Sequence, residues 1–157
     1  MTPASSGSER VLRLHTDGAA RGNPGPAGLG MLIEDGDGMR LWGGCSYAGE
    51  LTNNQAEYQA LLAGLRKVAE WRPSRLEVCL DSELVVHQLN GRYRGRNADL
   101  RPLFEQARRL LAGFPNVTVR HVPRERNRGA DGLANRAIDE HRAGSSSTGK
   151  RNRTKSN

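Results

Sequence analysis

Only two of the 157 residues are cysteine, Cys45 and Cys79. A disulfide framework needs more, and a zinc site needs neighbours at ligand spacing; neither pattern is present. The two thiols are expected to be buried and reduced, in a protein of the cytoplasm. Aromatic residues make up 4% of the chain and apolar runs are short. No segment approaches the roughly 20 apolar residues of a membrane-spanning helix. The opening stretch from Met1 to Glu9 is small and polar; it lacks the charged start and apolar middle of an export signal. Lysine is rare too: of 24 basic residues all but Lys67, Lys150 and Lys155 are arginine, and no acid follows Glu140. No internal repeat is visible.

The length suits one domain, and a 36% hydrophobic content suits a modest single core. The formal charge of +7 and pI of about 10.2 point to a polyanionic partner, most simply nucleic acid. A soluble basic protein with a basic tail would carry the same charge. Arginine grips phosphate oxygens in a bidentate way. Residues 1–9 are expected to be a flexible N-terminus and 10–142 the folded domain. Residues 143–157, built from Gly, Ser, Thr, Asn, Lys and Arg, read as a disordered basic tail.

Alternation of apolar and polar residues predicts a strand over Val11–Thr16, followed by strands over Leu29–Ile33 and Leu41–Tyr47. Gly/Asp-rich turns such as Glu34–Gly38 join them as hairpins. A helix is expected from Asn54 to Glu70, stopped before Pro73. Next come a strand at Leu76–Leu80, helices at Ser82–Leu89 and Leu100–Leu111, a strand at Val117–His121 and a last helix from Arg128 to His141. Hairpins followed by alternating helices and strands predict an α/β fold: a mixed sheet covered by helices.

Four acids sit in unusual places. Asp17 ends the first strand and opens a loop, Gly18 to Pro26, rich in glycine and proline; it reads either as an ordinary turn starter or as a ligand beside backbone that approaches closely. Glu57 falls on a helical stripe with Leu61, Leu65 and Val68, facing the sheet. An inward carboxylate needs a partner; Arg13 and a cation are the alternatives. Asp81 ends the fourth strand and reads as a helix cap or a ligand. Asp131 repeats the Glu57 pattern with Ala134 and Ile138. If these ends converge, four carboxylates meet, and their mutual repulsion raises their pKa values unless divalent cations sit between them. Oxygen ligands suit Mg²⁺ or Mn²⁺, and two such ions serve phosphodiester hydrolysis.

Thr16-Asp17-Gly18 with Gly22-Asn23-Pro24-Gly25-Pro26, then Thr52-Asn53-Asn54-Gln55-Ala56-Glu57-Tyr58, then Asp81-Ser82, then Asn127-x-x-x-Asp131-x-Leu133-Ala134 closely resemble the type 1 ribonuclease H family, over Val11 to Asp139. The resemblance implies a ribonuclease H-like fold, with a five-stranded mixed sheet of three antiparallel then two parallel strands. It implies an endonuclease that hydrolyses the RNA strand of an RNA–DNA hybrid, leaving 5′-phosphate and 3′-hydroxyl ends. Asp17, Glu57, Asp81 and Asp131 match the carboxylates that hold two Mg²⁺ ions, for which Mn²⁺ substitutes. Gly18, Asn23, Asn53 and Asn54 match positions that contact the hybrid; small and amide groups there can reach 2′-hydroxyls in the minor groove. Thr52 matches a contact to a DNA-strand phosphate. The family also uses a mobile basic residue near the fourth carboxylate. Both His121 and Arg124 fit, with Arg124 favoured by the Val122-Pro123-Arg124 context.

Little room lies between Asp81 and Asp131 for the basic protrusion of some relatives, so the chain resembles the subgroup without it; Arg92, Arg94, Arg96 and Arg101 stand there instead. A monomer with no obligate protein partner and no membrane is expected. Two rivals remain at this level: a binding module that has lost catalysis, and another nuclease on the same fold. A nucleotide-binding reading fails, because Gly25-x-x-Gly28-x-Gly30 runs into a strand rather than a helix.

Overall fold

The computed structural model describes residues 9–91 and 98–148. Five strands, β1 (Val11–Ala20), β2 (Gly25–Asp35), β3 (Arg40–Leu51), β4 (Arg75–Leu80) and β5 (Val117–His121), form one sheet in the order β3-β2-β1-β4-β5. The first three run antiparallel to their neighbours, while β1–β4 and β4–β5 are parallel. Helices α1 (Asn53–Ala69), α2 (Glu83–Asn90), α3 (Arg101–Leu111) and α4 (Arg128–Thr148) complete the fold, with a short 3₁₀ turn at Arg124–Arg126. This is the mixed five-stranded sheet expected from the sequence.

Local chemistry sets the boundaries. In the β2–β3 turn, the Asp35 carboxylate accepts the Asp37 and Met39 N–H groups, each at 2.9 Å, and Gly38 takes φ of 88°, the left-handed geometry glycine adopts freely. Thr52 and Gln55 form a reciprocal capping box at the start of α1, satisfying two otherwise orphan N–H groups. Strand β1 extends four residues past the expected end at Thr16, because Asp17 to Ala20 continue the ladder opposite Gly30 to Ala27. Asp17 is therefore inside a paired strand and not in a turn.

One sheet face carries Leu12, Leu14, Ile33, Leu76, Val78 and Leu80, packed on Tyr58, Leu61, Leu62, Leu65 and Val68 of α1. These side chains are essentially removed from water; each such burial contributes about 1.5–3 kcal/mol. On the opposite face α4 approaches β2 very closely. A Cβ on Gly28 would lie 2.0 Å from the Ala134 carbonyl oxygen, and one on Gly30 2.0 Å from that of Ala130. Glycine is required at both, and Ala130, Ala134 and Ile138 are fully buried in that contact.

Two expectations are revised. Helix α4 runs to Thr148, past the expected end near His141. Once α4 is docked, adding residues costs little because each brings its own hydrogen bond. The remainder of the expected tail, and the lead-in before Glu9, fall outside the described residues, as do Arg92, Arg94 and Arg96. Arg101 opens α3 and pairs with Glu105 at 3.3 Å. Cys79 is buried as expected, but Cys45 is only half-buried, since β3 is an edge strand.

Candidate metal centre

The two central strands, β1 and β4, end at the same edge of the sheet, and α1 and α4 begin there. One carboxylate oxygen from each of Asp17, Glu57 and Asp81 lies within 4.8 Å of the others. Asp17 comes from β1, Glu57 from the first turn of α1 and Asp81 from the residue after β4. Asp131, in the first turn of α4, stands beside the cluster: the charges of both Glu57 and Asp131 act on the Asp17 carboxyl. Three of the four carboxylates singled out in the sequence thus meet, with Asp131 beside them on α4.

The alternatives left open for these acids resolve structurally. Ser82, not Asp81, caps α2: its Oγ accepts the Val85 N–H at 3.2 Å. Arg13 is not the partner of Glu57; it donates to Glu77 at 2.7 Å and to Glu34 at 3.3 Å. Strand alternation puts Arg13 on the face opposite α1. Glu57 instead accepts the Gly18 N–H at 3.2 Å. Gly18 makes this possible, because a Cβ there would lie 2.0 Å from the Ala56 carbonyl oxygen.

Burial, followed by the charges of Glu57 and Asp81, pushes the Asp17 carboxyl up to about 10. Burial and the Asp81 charge push Glu57 up to about 8, against the Gly18 N–H and the Arg124 guanidinium, which act in the other direction. Three carboxylates at this spacing hold more negative charge than the protein neutralises. An all-oxygen donor set with an unmet charge fits a hard divalent cation.

The residues expected to contact nucleic acid border this cluster. Asn23 Oδ1 accepts the Asn53 N–H at 3.0 Å, and Asn53 Oδ1 accepts the Ala20 N–H at 3.2 Å. The pair laces the β1–β2 loop to the start of α1. Asn23 and Asn53 are exposed and Asn54 half-buried; Thr52 Oγ1 is occupied by its capping bond to Gln55. Of the two basic candidates, Arg124 acts electrostatically on Glu57. His121 ends β5, where it lines a groove with Glu83, His87 and Asn90.

Asn127, which stands four residues before Asp131, supports the cluster. It is 1% exposed, and its Nδ2 donates to the Thr16 carbonyl at 3.0 Å and to Asp81 Oδ2 at 3.2 Å. Its own carbonyl accepts the Asp131 N–H at 3.0 Å. The side chain therefore ties the strand that bears Asp17 to Asp81, while the backbone carbonyl of the same residue opens the helix that bears Asp131. An asparagine just before a helix reads from sequence as a plain cap, which hides this function.

The fold and the acidic centre together define a ribonuclease H-like α/β protein. Residues 15–137 match the family described as reverse transcriptase-like. The chain is 45% identical over 134 residues to ribonuclease HI of Halobacterium salinarum, covering 84% of this chain and 67% of that protein. The crystal structure of RNase H1 from the same organism superimposes with a TM-score of 0.80, at 44% identity, covering 83% of this chain and 98% of that one. LC11-RNase H1, solved in complex with an RNA/DNA hybrid, gives a TM-score of 0.78 at 40% identity, covering 83% and 98%. A bifunctional protein of Mycobacterium tuberculosis is 41% identical over 127 residues; the match covers 80% of this chain and 35% of that protein, so this chain corresponds to about a third of it. The chain belongs to the type 1 ribonuclease H family.

Proposed function

We propose that this protein is an endoribonuclease that hydrolyses the RNA strand of an RNA–DNA hybrid, and that Asp17, Glu57, Asp81 and Asp131 hold two Mg²⁺ ions, with Mn²⁺ able to replace them. The convergence of Asp17, Glu57 and Asp81 within 4.8 Å carries this reading. When bound, such ions supply a water of lowered pKa and neutralise charge on the departing 3′-oxygen. The four carboxylates set the ion positions, and Asn127 keeps Asp81 aimed at the cluster. By resemblance to the family, Asn23, Asn53, Asn54 and Gly18 contact the minor groove of the hybrid at its 2′-hydroxyls, and Thr52 contacts a DNA-strand phosphate; the exposure of Asn23 and Asn53 supports this. Arg124, the basic group that acts on Glu57, assists product departure; His121 is the second candidate. LC11-RNase H1 was solved bound to a hybrid, which supports the substrate class.

The enzyme works as a monomer, in the cytoplasm, with residues 10–142 carrying the activity and the basic residues beyond adding salt-dependent affinity. No helix among the described residues is long and apolar enough to cross a membrane. A cleavage panel tests the substrate: hybrid, duplex DNA, duplex RNA and both single strands, each with Mg²⁺. Cutting confined to the RNA of the hybrid, with 3′-hydroxyl ends, is expected. Equal cutting of duplex DNA would indicate a different nuclease on this fold. Binding without cutting would indicate an inactive module.

A further inference from the structure

Arg21 follows β1 and lies two residues before Asn23, and its backbone N–H closes the loop on the Pro26 carbonyl at 2.9 Å. Its guanidinium leaves the loop altogether and reaches across to α4. Nη1 donates to Asp139 Oδ1 at 2.8 Å, and Nη2 donates to Asn135 Oδ1 at 3.1 Å. The other end of the same amide, Asn135 Nδ2, donates to Asp131 Oδ1 at 3.2 Å and to the Asp131 carbonyl at 3.0 Å. The result is a chain from loop to carboxylate: Arg21, Asn135, Asp131.

The order of atoms matters. An amide presents an acceptor on one side and donors on the other. A cation on the oxygen side fixes which side faces Asp131. Turned over, Asn135 would set its oxygen against a carboxylate and its NH₂ against a guanidinium, both repulsive. Arg21 therefore sets the polarity of Asn135, and Asn135 sets the rotamer of Asp131. Groups that hydrogen-bond a ligating carboxylate orient it and tune its affinity. We infer that Arg21 and Asn135 are positioning residues for Asp131, fastening the loop that carries Asn23 to the fourth carboxylate. This rests on the reading of Asp131 as a metal ligand.

The test uses the full chain and Mn²⁺ alone as the probe, titrated calorimetrically without hybrid, together with kcat and KM for hybrid cleavage. Asn135→Ala is expected to weaken Mn²⁺ binding about 10-fold and to lower kcat while leaving KM for the hybrid nearly unchanged. Arg21→Ala is expected to weaken Mn²⁺ binding in the same direction, and the double variant to match Asn135→Ala within about twofold, since one residue acts through the other. Asp139→Asn, which breaks only the outer ion pair, is expected to bind Mn²⁺ like the native chain. Additive losses in the double variant, or a loss in Asp139→Asn equal to that in Arg21→Ala, would overturn the inference: Arg21 would then merely hold α4. Asp131→Asn separates the two levels. If it leaves Mn²⁺ binding intact, the ligand reading of Asp131 fails. If it weakens binding while Asn135→Ala does not, only the positioning inference fails. Thermal melts of every variant confirm that folded protein is compared.

Discussion

The side-chain amide of Asn127 donates to Asp81 Oδ2 at 3.2 Å and, from the same nitrogen, to the carbonyl that precedes Asp17. Two strands and a helix are pinned at the point where the carboxylates converge. Asn127→Ala leaves a buried carbonyl and a carboxylate oxygen without their donor, at about 2–3 kcal/mol. Urea denaturation is expected to show that loss, and kcat for hybrid cleavage to fall more than KM rises. An unchanged unfolding midpoint would mean that the amide plays no structural part.

The raised Asp17 and Glu57 carboxyls have a consequence for stability without metal. Between the ordinary carboxylate range and the values of about 10 and 8, the folded chain binds more protons than the unfolded one. Stability from these groups is full below pH 4 and is lost as pH rises through 8 and 10. Metal-free protein is expected to melt at a lower temperature at pH 9 than at pH 6, and saturating Mg²⁺ is expected to remove most of that difference. A melting temperature that rises with pH in EDTA would contradict the charge assignment.

Neutralising one member of the cluster relieves the same repulsion. Asp17→Asn is expected to raise the metal-free melting temperature at pH 8, by about 3–5 °C for each kcal/mol relieved, while abolishing cleavage. The variant separates the cost of the site to the fold from its use in chemistry. Scanning calorimetry in EDTA checks it.

Gly30 is where α4 touches the sheet, and a Cβ there would sit 2.0 Å from the Ala130 carbonyl. Gly30→Ala is expected to push α4, and with it Asp131, away from Asp17, costing about 3 kcal/mol or more in denaturant unfolding. Gly38→Ala puts a Cβ into open space at positive φ, so it is expected to cost only about 1 kcal/mol of backbone strain. Equal losses at the two sites would argue against close helix–sheet contact as the cause.

Arg124 and His121 are separable by single substitutions. Arg124→Ala is expected to lower turnover about 10-fold or more in multiple-turnover assays, with a smaller effect in a single turnover, as product departure requires. His121→Ala is expected to leave turnover within about twofold, because His121 faces the groove beside α2. The reverse pattern would exchange the assignments.

Much of this was legible in the chain. The 3.6-residue stripe of Glu57, Leu61, Leu65 and Val68 foretold an acid beside the core, and the three apolar members are fully buried. The position of Asp81 directly after its strand foretold one acid of the cluster, whereas Asp17, expected at a strand end, lies inside β1. Strand lengths were less legible: Gly18, Ala19 and Ala20 resemble loop residues, yet they continue the ladder opposite Leu29, Gly28 and Ala27. The supporting amides were not legible at all. Asn127 reads in sequence as a plain helix cap and Asn135 as an ordinary polar residue on a helix, and the tertiary approach of β1, β4 and the β1–β2 loop gives Asn127 its side-chain partners and Asn135 its contact to Arg21. Arg13 shows the converse, since its pairing with Glu34 and Glu77 follows from strand register that composition does not reveal.

The most direct test compares the native chain with Asp17→Asn on an end-labelled RNA–DNA hybrid, with Mg²⁺ and with EDTA, while measuring hybrid binding for both. The expected result is RNA-strand cleavage by the native chain with Mg²⁺ only, and none by the variant, which binds the hybrid as tightly. Cleavage that persists in EDTA, or full Mg²⁺-dependent activity in Asp17→Asn, would contradict a reaction built on the carboxylate cluster.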